Sequence, residues 1–312
     1  MKLILFLSGE NLKLAKEEAL AVAGTKKYKQ DRNILILETK NNLQRLAFTK
    51  QIFQHLFSCQ TKDLVREIKK FNWSRIYKKN FCVRIRGATK LKEKHLASLI
   101  WNKLKNPRVE LESPETSIHF LIAGKRVYCG LLLYENKEKF QERRPHLRKG
   151  FHPTSMQPKL ARALVNLSRI KKGQTLLDPF CGTGGILIEA GLIGCKLKGN
   201  DINKKMIQRT KINLDSFKLK AELTQKDALE IKTKVDAVVT DLPYGRGSYH
   251  NISLNELYEQ FLEKAHALLK PNRYLVAVFP KKIKIKTKLK IIKELDFYVH
   301  ASLTRHIIVA KT

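Results

Sequence analysis

The spacing of apolar residues changes period along the chain, and each change predicts an element. Lys2–Leu7 is a short apolar run closed by Ser8-Gly9-Glu10, which predicts a first strand. Residues 11–23, with Gly24 as stop, predict a helix, and 33–38 a second strand. Residues 43–57 predict another helix, because Leu43, Leu46, Ala47, Ile52, Phe53 and Leu56 fall mostly three or four residues apart. Phe81-Cys82-Val83-Arg84-Ile85-Arg86 alternates strictly, so Phe81, Val83 and Ile85 point into a core while Arg84 and Arg86 share the other face. A helix near 91–104 and strands near 109–111, 117–123 and 126–133 complete an N-terminal half that reads as two small α+β units.

Periodicity stops at Glu142-Arg143-Arg144-Pro145-His146-Leu147-Arg148-Lys149-Gly150, where charge, proline and glycine take over, as in a linker. Beyond it, predicted strands at 175–177, up to Gly199, 237–240 and 274–279 alternate with helices at 155–170, from Gly185, from Asn203 and at 254–269. Strands alternating with helices imply a parallel, doubly wound α/β sheet. The runs 297–303 and 305–310 predict a terminal antiparallel pair. The expected domains are an α+β segment over 1–57, a second N-terminal α+β unit over 58–141, a linker over 142–152 and the doubly wound domain over 153–312.

Composition adds a partner class. The 312 residues carry 62 Lys and Arg against 28 Asp and Glu, a net charge of +34, and 43% of them are hydrophobic, enough for real cores. Such an excess favours nucleic acid over ordinary neutral metabolites. No stretch reaches the apolar length of a spanning helix, and the expectation is a cytoplasmic protein without a membrane. Five cysteines, with no Cys-x-x-Cys, predict no metal site; a Cys181–Cys195 disulfide is the alternative a hyperthermophilic source would allow.

The strongest chemical signal is Leu176-Leu177-Asp178-Pro179-Phe180-Cys181-Gly182-Thr183-Gly184-Gly185, a strand ending in an acid and a glycine-rich turn opening a helix. Phe180 and Cys181 stand where a pyrophosphate loop needs glycine, and there is no P-loop lysine, so a ligand without phosphates fits better. S-adenosylmethionine offers cations to Asp178 and a carboxylate to backbone N–H groups near the helix start. The expected cofactor residues are Asp178, Phe180, Gly182, Thr183 and Gly184, with Asp201 for the ribose and Ile202 beside it, and Asp227 for the adenine amine with Ala228 beside it. Thr240-Asp241-Leu242-Pro243-Tyr244 suits methylation of an exocyclic amine. Asp241 and the Leu242 carbonyl accept its N–H groups, Pro243 holds the turn extended, and Tyr244 stacks on the base.

Residues 178–190, 240–248 and 152–167 together resemble the archaeal THUMP-type tRNA (guanosine-10) N2-methyltransferases, and 81–130 resembles their THUMP domain, which implies a THUMP RNA-binding domain over 58–141 preceded by a ferredoxin-like segment over 1–57. The resemblance covers nearly the whole chain and implies an N2-guanosine methyltransferase acting on tRNA, with a THUMP domain that grips the acceptor end. That family usually carries Asp-Pro-Pro-Tyr; here Leu242 replaces the first proline, at a position that contributes a backbone carbonyl. Arg84, Arg86, Arg143, Arg144, Arg148 and Lys149, with the lysines of 281–290, are expected to meet phosphates. The alternatives are another guanosine, such as tRNA position 6 or an rRNA site, and a non-catalytic RNA-binding protein with a degenerate methyltransferase domain. The expected state is monomeric or paired with an accessory subunit.

Overall fold

The computed structural model describes residues 1–244, 253–283, 286–301 and 303–312. In chain order the elements are β1 (Lys2–Leu7), α1 (Leu12–Ala23), β2 (Tyr28–Asp31), β3 (Ile34–Glu38), β4 (Thr49–Gln60), α2 (Leu64–Lys70), β5 (Phe81–Arg86), α3 (Glu93–Trp101), β6 (Thr116–Ala123) and β7 (Arg126–Glu135). They continue with α4 (Pro158–Leu167), β8 (Thr175–Asp178), α5 (Gly185–Leu192), β9 (Lys196–Asn200), α6 (Lys204–Ser216), β10 (Ala221–Thr224), β11 (Val235–Asp241), α7 (Leu254–Leu268), β12 (Leu269–Phe279), β13 (Lys290–His300) and β14 (Leu303–Lys311). The chain divides into two compact units: residues 1–12, 23–44 and 49–137 form one, and residues 13–22, 45–48 and 138–312 form the other.

The first unit is built on one seven-stranded sheet in the order β2-β3-β1-β4-β7-β6-β5. Only β5 and β6 run parallel within it. A core of Trp73, Phe81, Phe120, Leu96 and Ile100 lies under α2 and α3. The helix expected over 43–57 is overturned, because Thr49–Gln60 is β4, a central strand paired with β1 and β7. Register shifts between Ile52 and Phe53 and between His55 and Phe57 break the period-two alternation, and that irregularity imitates helical spacing. The strand expected near 109–111 reduces to a single bridge between Val109 and Phe81.

The second unit holds the doubly wound sheet, in the order β10-β9-β8-β11-β12-β14-β13. Strands β10, β9, β8, β11 and β12 are parallel. β14 joins antiparallel to β12 and pairs with β13, so the terminal antiparallel pair is present and longer than its sequence signal. Strand order reverses between β8 and β11, and the crevice beyond their carboxyl ends is where such sheets take ligands. Val235, Val238, Leu275 and Ala277 fill the sheet interior against Phe261, Leu262 and Ala265 of α7. Residues 13–22 and 45–48 join this unit through a buried carboxylate: Glu18 accepts from the N–H of Ala47 at 2.7 Å, of Phe48 at 2.9 Å and from the Asn166 amide at 2.7 Å. All five cysteines are free, so the disulfide alternative falls.

Candidate active site at the switch of the parallel sheet

The glycine-rich turn opens directly from β8. Gly182 and Gly184 take φ of +53° and +80°, a left-handed conformation that glycine adopts without steric cost. A Cβ on Gly182 would meet nothing within 4 Å, so the loop faces open space there; on Gly184 it would come within 3.0 Å of the Thr210 side chain. The turn is pinned from outside by Thr210, whose hydroxyl donates to the Gly182 carbonyl at 2.7 Å, and by Asn213, whose amide donates to the Thr183 carbonyl at 2.9 Å. The Thr183 hydroxyl lies 2.8 Å from that of Ser155.

Asp201 follows β9. One carboxylate oxygen accepts the Gly182 N–H at 2.9 Å and the other the Asn203 N–H at 2.9 Å, so this acid ties the loop to the start of α6. Asn200 is buried and braces the same rim, its amide donating to the carbonyls of Pro179 and Lys226. Beyond β10, Asp227 accepts the Leu229 N–H at 2.9 Å. Ile202 is exposed at the rim, whereas Ala228 is buried in the core and Phe180 is edge-on to Phe261 at 5.1 Å.

Asp178 is buried and accepts from the Thr240 hydroxyl at 2.7 Å and the Phe180 N–H at 3.3 Å. Burial pushes its pKa up to about 8, against those two hydrogen bonds, and the charges of Asp201 and Asp241 add to the rise. Burial raises Asp201 and Asp241 as well. Three acids in one crevice, all disfavoured as anions, make a site that a cationic ligand stabilises. S-adenosylmethionine, with a sulfonium and an ammonium, matches that chemistry, and its carboxylate matches the N–H groups at the start of α5.

Asp241 ends β11, and the turn after it is held on both sides. The Leu242 N–H donates to the Val278 carbonyl at 3.0 Å, extending the β11–β12 pairing, and the Leu242 side chain is 1% exposed in the core. A proline at this position could not donate that hydrogen bond. Leucine thus secures with a hydrogen bond and burial what a proline ring secures by constraint. Tyr258 of α7 donates to the Pro243 carbonyl at 2.7 Å. Beside this turn a cavity of about 400 Å³ lies between α7, at Tyr258 and Leu262, and Lys281 and Lys282 beyond β12. Gly245, Arg246, Gly247 and Ser248 of the motif lie outside the described residues, as do Lys284 and Ile285 of the lysine-rich stretch.

The expected phosphate contacts divide. Arg143 and Arg148 turn inward and are engaged within the protein. The Arg143 Nε donates to Glu189 at 2.9 Å and one terminal nitrogen to Glu138 at 3.0 Å. Arg148 is buried, its Nε donates to the Arg143 carbonyl at 2.9 Å, and burial pulls its pKa down to about 10. The reason is Glu189 of α5, a fully buried carboxylate that also pairs with Arg162 at 2.8 Å and draws Arg143 and Arg148 toward the helix. Arg84 is also engaged, donating to the Leu111 carbonyl at 2.7 Å, while Arg86, Arg144 and Lys149 are exposed.

The sequence reading missed Arg305. It is nearly buried at the start of β14 and contacts both Asp241 and Tyr244. An arginine shortly before the apolar run Ile307-Ile308-Val309-Ala310 was its only signal.

Residues 145–295 match the family described as RMKL-like, methyltransferase domain, and residues 4–212 match one described as DNA methylase. The chain is 42% identical over 232 residues to the tRNA (guanine(10)-N2)-dimethyltransferase of Methanocaldococcus jannaschii, covering 70% of this chain and 64% of that protein. It is 36% identical over 276 residues to the protein of the same name from Methanothermobacter thermautotrophicus, covering 84% of this chain and 82% of that one. TrmN from Thermus thermophilus shares the fold, with a TM-score of 0.51 at 18% identity over 100% of this chain and 99% of that one.

Proposed function

The chain belongs to the archaeal tRNA (guanine(10)-N2)-dimethyltransferase family, and from that membership we propose that it transfers methyl groups from S-adenosylmethionine to the exocyclic 2-amino group of guanosine 10 in tRNA, twice in succession. The observation that carries the reading is the placement of Asp241-Leu242-Pro243-Tyr244 at the carboxyl end of β11, beside the loop after β8. When bound, the cofactor supplies a methyl group on a sulfonium, open to attack by a nitrogen lone pair.

The chain's own residues orient the nucleophile. In the first transfer Asp241 accepts one N–H of the amine and the Leu242 carbonyl accepts the other, which turns the lone pair toward the methyl; the single N–H left on the methylated amine is held by one of these acceptors for the second transfer, and Tyr244 stacks on the base. The nitrogen–methyl bond forms as the sulfur–methyl bond breaks, and the amine proton leaves to water. Holding the reactants in line is the main gain, and a small misplacement costs a large factor in rate. Asp178 meets the charge of the cofactor's methionine end, Asp201 its ribose hydroxyls and Asp227 its adenine amine, with Ile202 against the adenine face.

The tRNA is held by charge. Exposed Arg86, Arg144, Lys149, Lys281 and Lys282 remain available for phosphates. We take the first unit, which includes the THUMP-like stretch, as the part that grips the tRNA. No helix among the described residues is long and apolar enough to cross a membrane, and the cytoplasm is the compartment proposed. The test is incubation of purified chain with unmodified tRNA and labelled cofactor, followed by nucleoside mass spectrometry and position mapping. N2-methyl- and N2,N2-dimethylguanosine at position 10 support the reading; label at another residue or none overturns it.

A further inference from the structure

Asp241 does not stand alone at the rim. Arg305, 7% exposed, lies 3.1 Å through a terminal nitrogen from Asp241 Oδ2 and donates from Nε to the Tyr244 hydroxyl at 2.8 Å. That hydroxyl donates to Asp241 Oδ1 at 2.5 Å, so three side chains close a ring. Sheet register explains the meeting. Asp241 pairs with Val278 of β12, and Val278 with Ile307 of β14. Arg305 lies two residues nearer the rim than Ile307 on the same sheet face, and its long side chain spans the intervening strand.

We propose that Arg305 is a positioning residue for methyl transfer, fixing the Asp241 carboxylate and the Tyr244 ring in one frame; the inference rests on the function proposed above. A guanidinium is planar, so the groups bound at Nε and at a terminal nitrogen are fixed relative to each other. Each carboxylate oxygen has two lone pairs, so Asp241 retains an acceptor site for the base amine while it keeps Arg305. Anchoring the hydroxyl of Tyr244 sets the tilt of the ring on which the base stacks. Two of the groups that meet the base, the Asp241 carboxylate and the Tyr244 ring, are thereby aligned before it arrives.

The same contact holds charge. Among the described residues, the titratable groups facing Asp241 are Arg305 from β14, Tyr244 in its own turn, Asp178 of β8 and Tyr258 of α7. Burial pushes Asp241 toward its protonated form, and Arg305 opposes that more than the Tyr244 hydrogen bond does. Removing the guanidinium therefore moves the protonation of Asp241 to higher pH.

The test compares the full chain with Arg305→Met, Arg305→Lys, Tyr244→Phe and the double variant Arg305→Lys/Tyr244→Phe, using a tRNA transcript and S-adenosylmethionine. Arg305→Met is expected to lower kcat about 10²-fold with little change in KM for the cofactor, and to displace the acid limb of the kcat profile to higher pH. Arg305→Lys restores the limb but only part of the rate. The double variant is no slower than its slower parent, because each change breaks the same frame. Independently of turnover, the carboxyl ¹³C signal of Asp241, assigned with Asp241→Asn, titrates at higher pH in Arg305→Met than in the native chain. A native chain that methylates nothing, with that titration displaced, removes the function reading and leaves the hold of Arg305 on Asp241 supported. An unmoved titration with near-native kcat overturns the inference, and so do additive rates for Arg305→Lys and Tyr244→Phe should Arg305→Met not fold.

Discussion

Replacing Glu189 by glutamine should destabilise the catalytic unit, although the residue lies away from the crevice. Its carboxylate is 0% exposed, and it meets Arg143, 12% exposed, at 2.9 Å and Arg162, 2% exposed, at 2.8 Å. A second hydrogen bond reaches it from Arg143 at 3.3 Å. Glu189→Gln preserves the shape but removes the carboxylate paired with the buried Arg162 guanidinium and leaves Arg143 its partly exposed pair with Glu138. Breaking a buried ion pair from one side costs about 3–5 kcal/mol. In a unit of this size that lowers Tm by about 6–20 °C, taking about 2–4 °C per kcal/mol. Differential scanning calorimetry measures it, with Arg144→Ala as control because Arg144 is exposed. That control should fall within about 0.5 kcal/mol of native. Equal Tm for native chain and Glu189→Gln would refute this account of the buried pairs.

Asp241→Ala should abolish methyl transfer while calorimetric affinity for the cofactor stays near native; unchanged turnover removes Asp241 from the reaction. Asp178 has a pKa of about 8 in the free chain, so it is largely protonated at neutral pH, and a cationic cofactor should displace that proton. Titrations at pH 7 in buffers of different ionisation enthalpy should show net proton release on binding, abolished in Asp178→Asn; no buffer dependence in the native chain contradicts this. The sign for folding is opposite to the usual carboxylate case: with its folded pKa raised, Asp178 makes the free chain less stable as pH climbs from the ordinary carboxylate range to about 8. Neutralising Arg144 and Lys149 should weaken tRNA binding and flatten the log–log salt slope by about 0.7–0.9 for each phosphate no longer neutralised, with cofactor affinity unchanged. An unaltered slope would place both outside the tRNA interface.

The second unit was largely legible in sequence because its signals are local. The glycine loop, the acid ending β9 and the turn after β11 each carry their own chemistry within ten residues, and β–α alternation fixes their order along a parallel sheet. What could not be read depends on residues distant in sequence. Arg305 reaches Asp241 only through strand order, 64 positions apart along a chain that no periodicity links. In the segment 142–150 charge suggests exposure because charged residues usually face water; the buried Glu189 that holds Arg143 is hidden in an apolar helix, where it resembles one polar interruption. The helix expected over 43–57 failed because two register shifts disturbed the alternation of β4.

The most direct measurement follows label from S-adenosylmethionine into two tRNA transcripts that differ only at position 10, one with guanosine and one with inosine. Inosine lacks the 2-amino group and preserves the rest of the base. The account predicts label in the guanosine transcript and none in the inosine transcript, with both bound equally well. Comparable labelling of the two would show that the methyl goes elsewhere and would contradict the assignment of Asp241 and the Leu242 carbonyl to that amine.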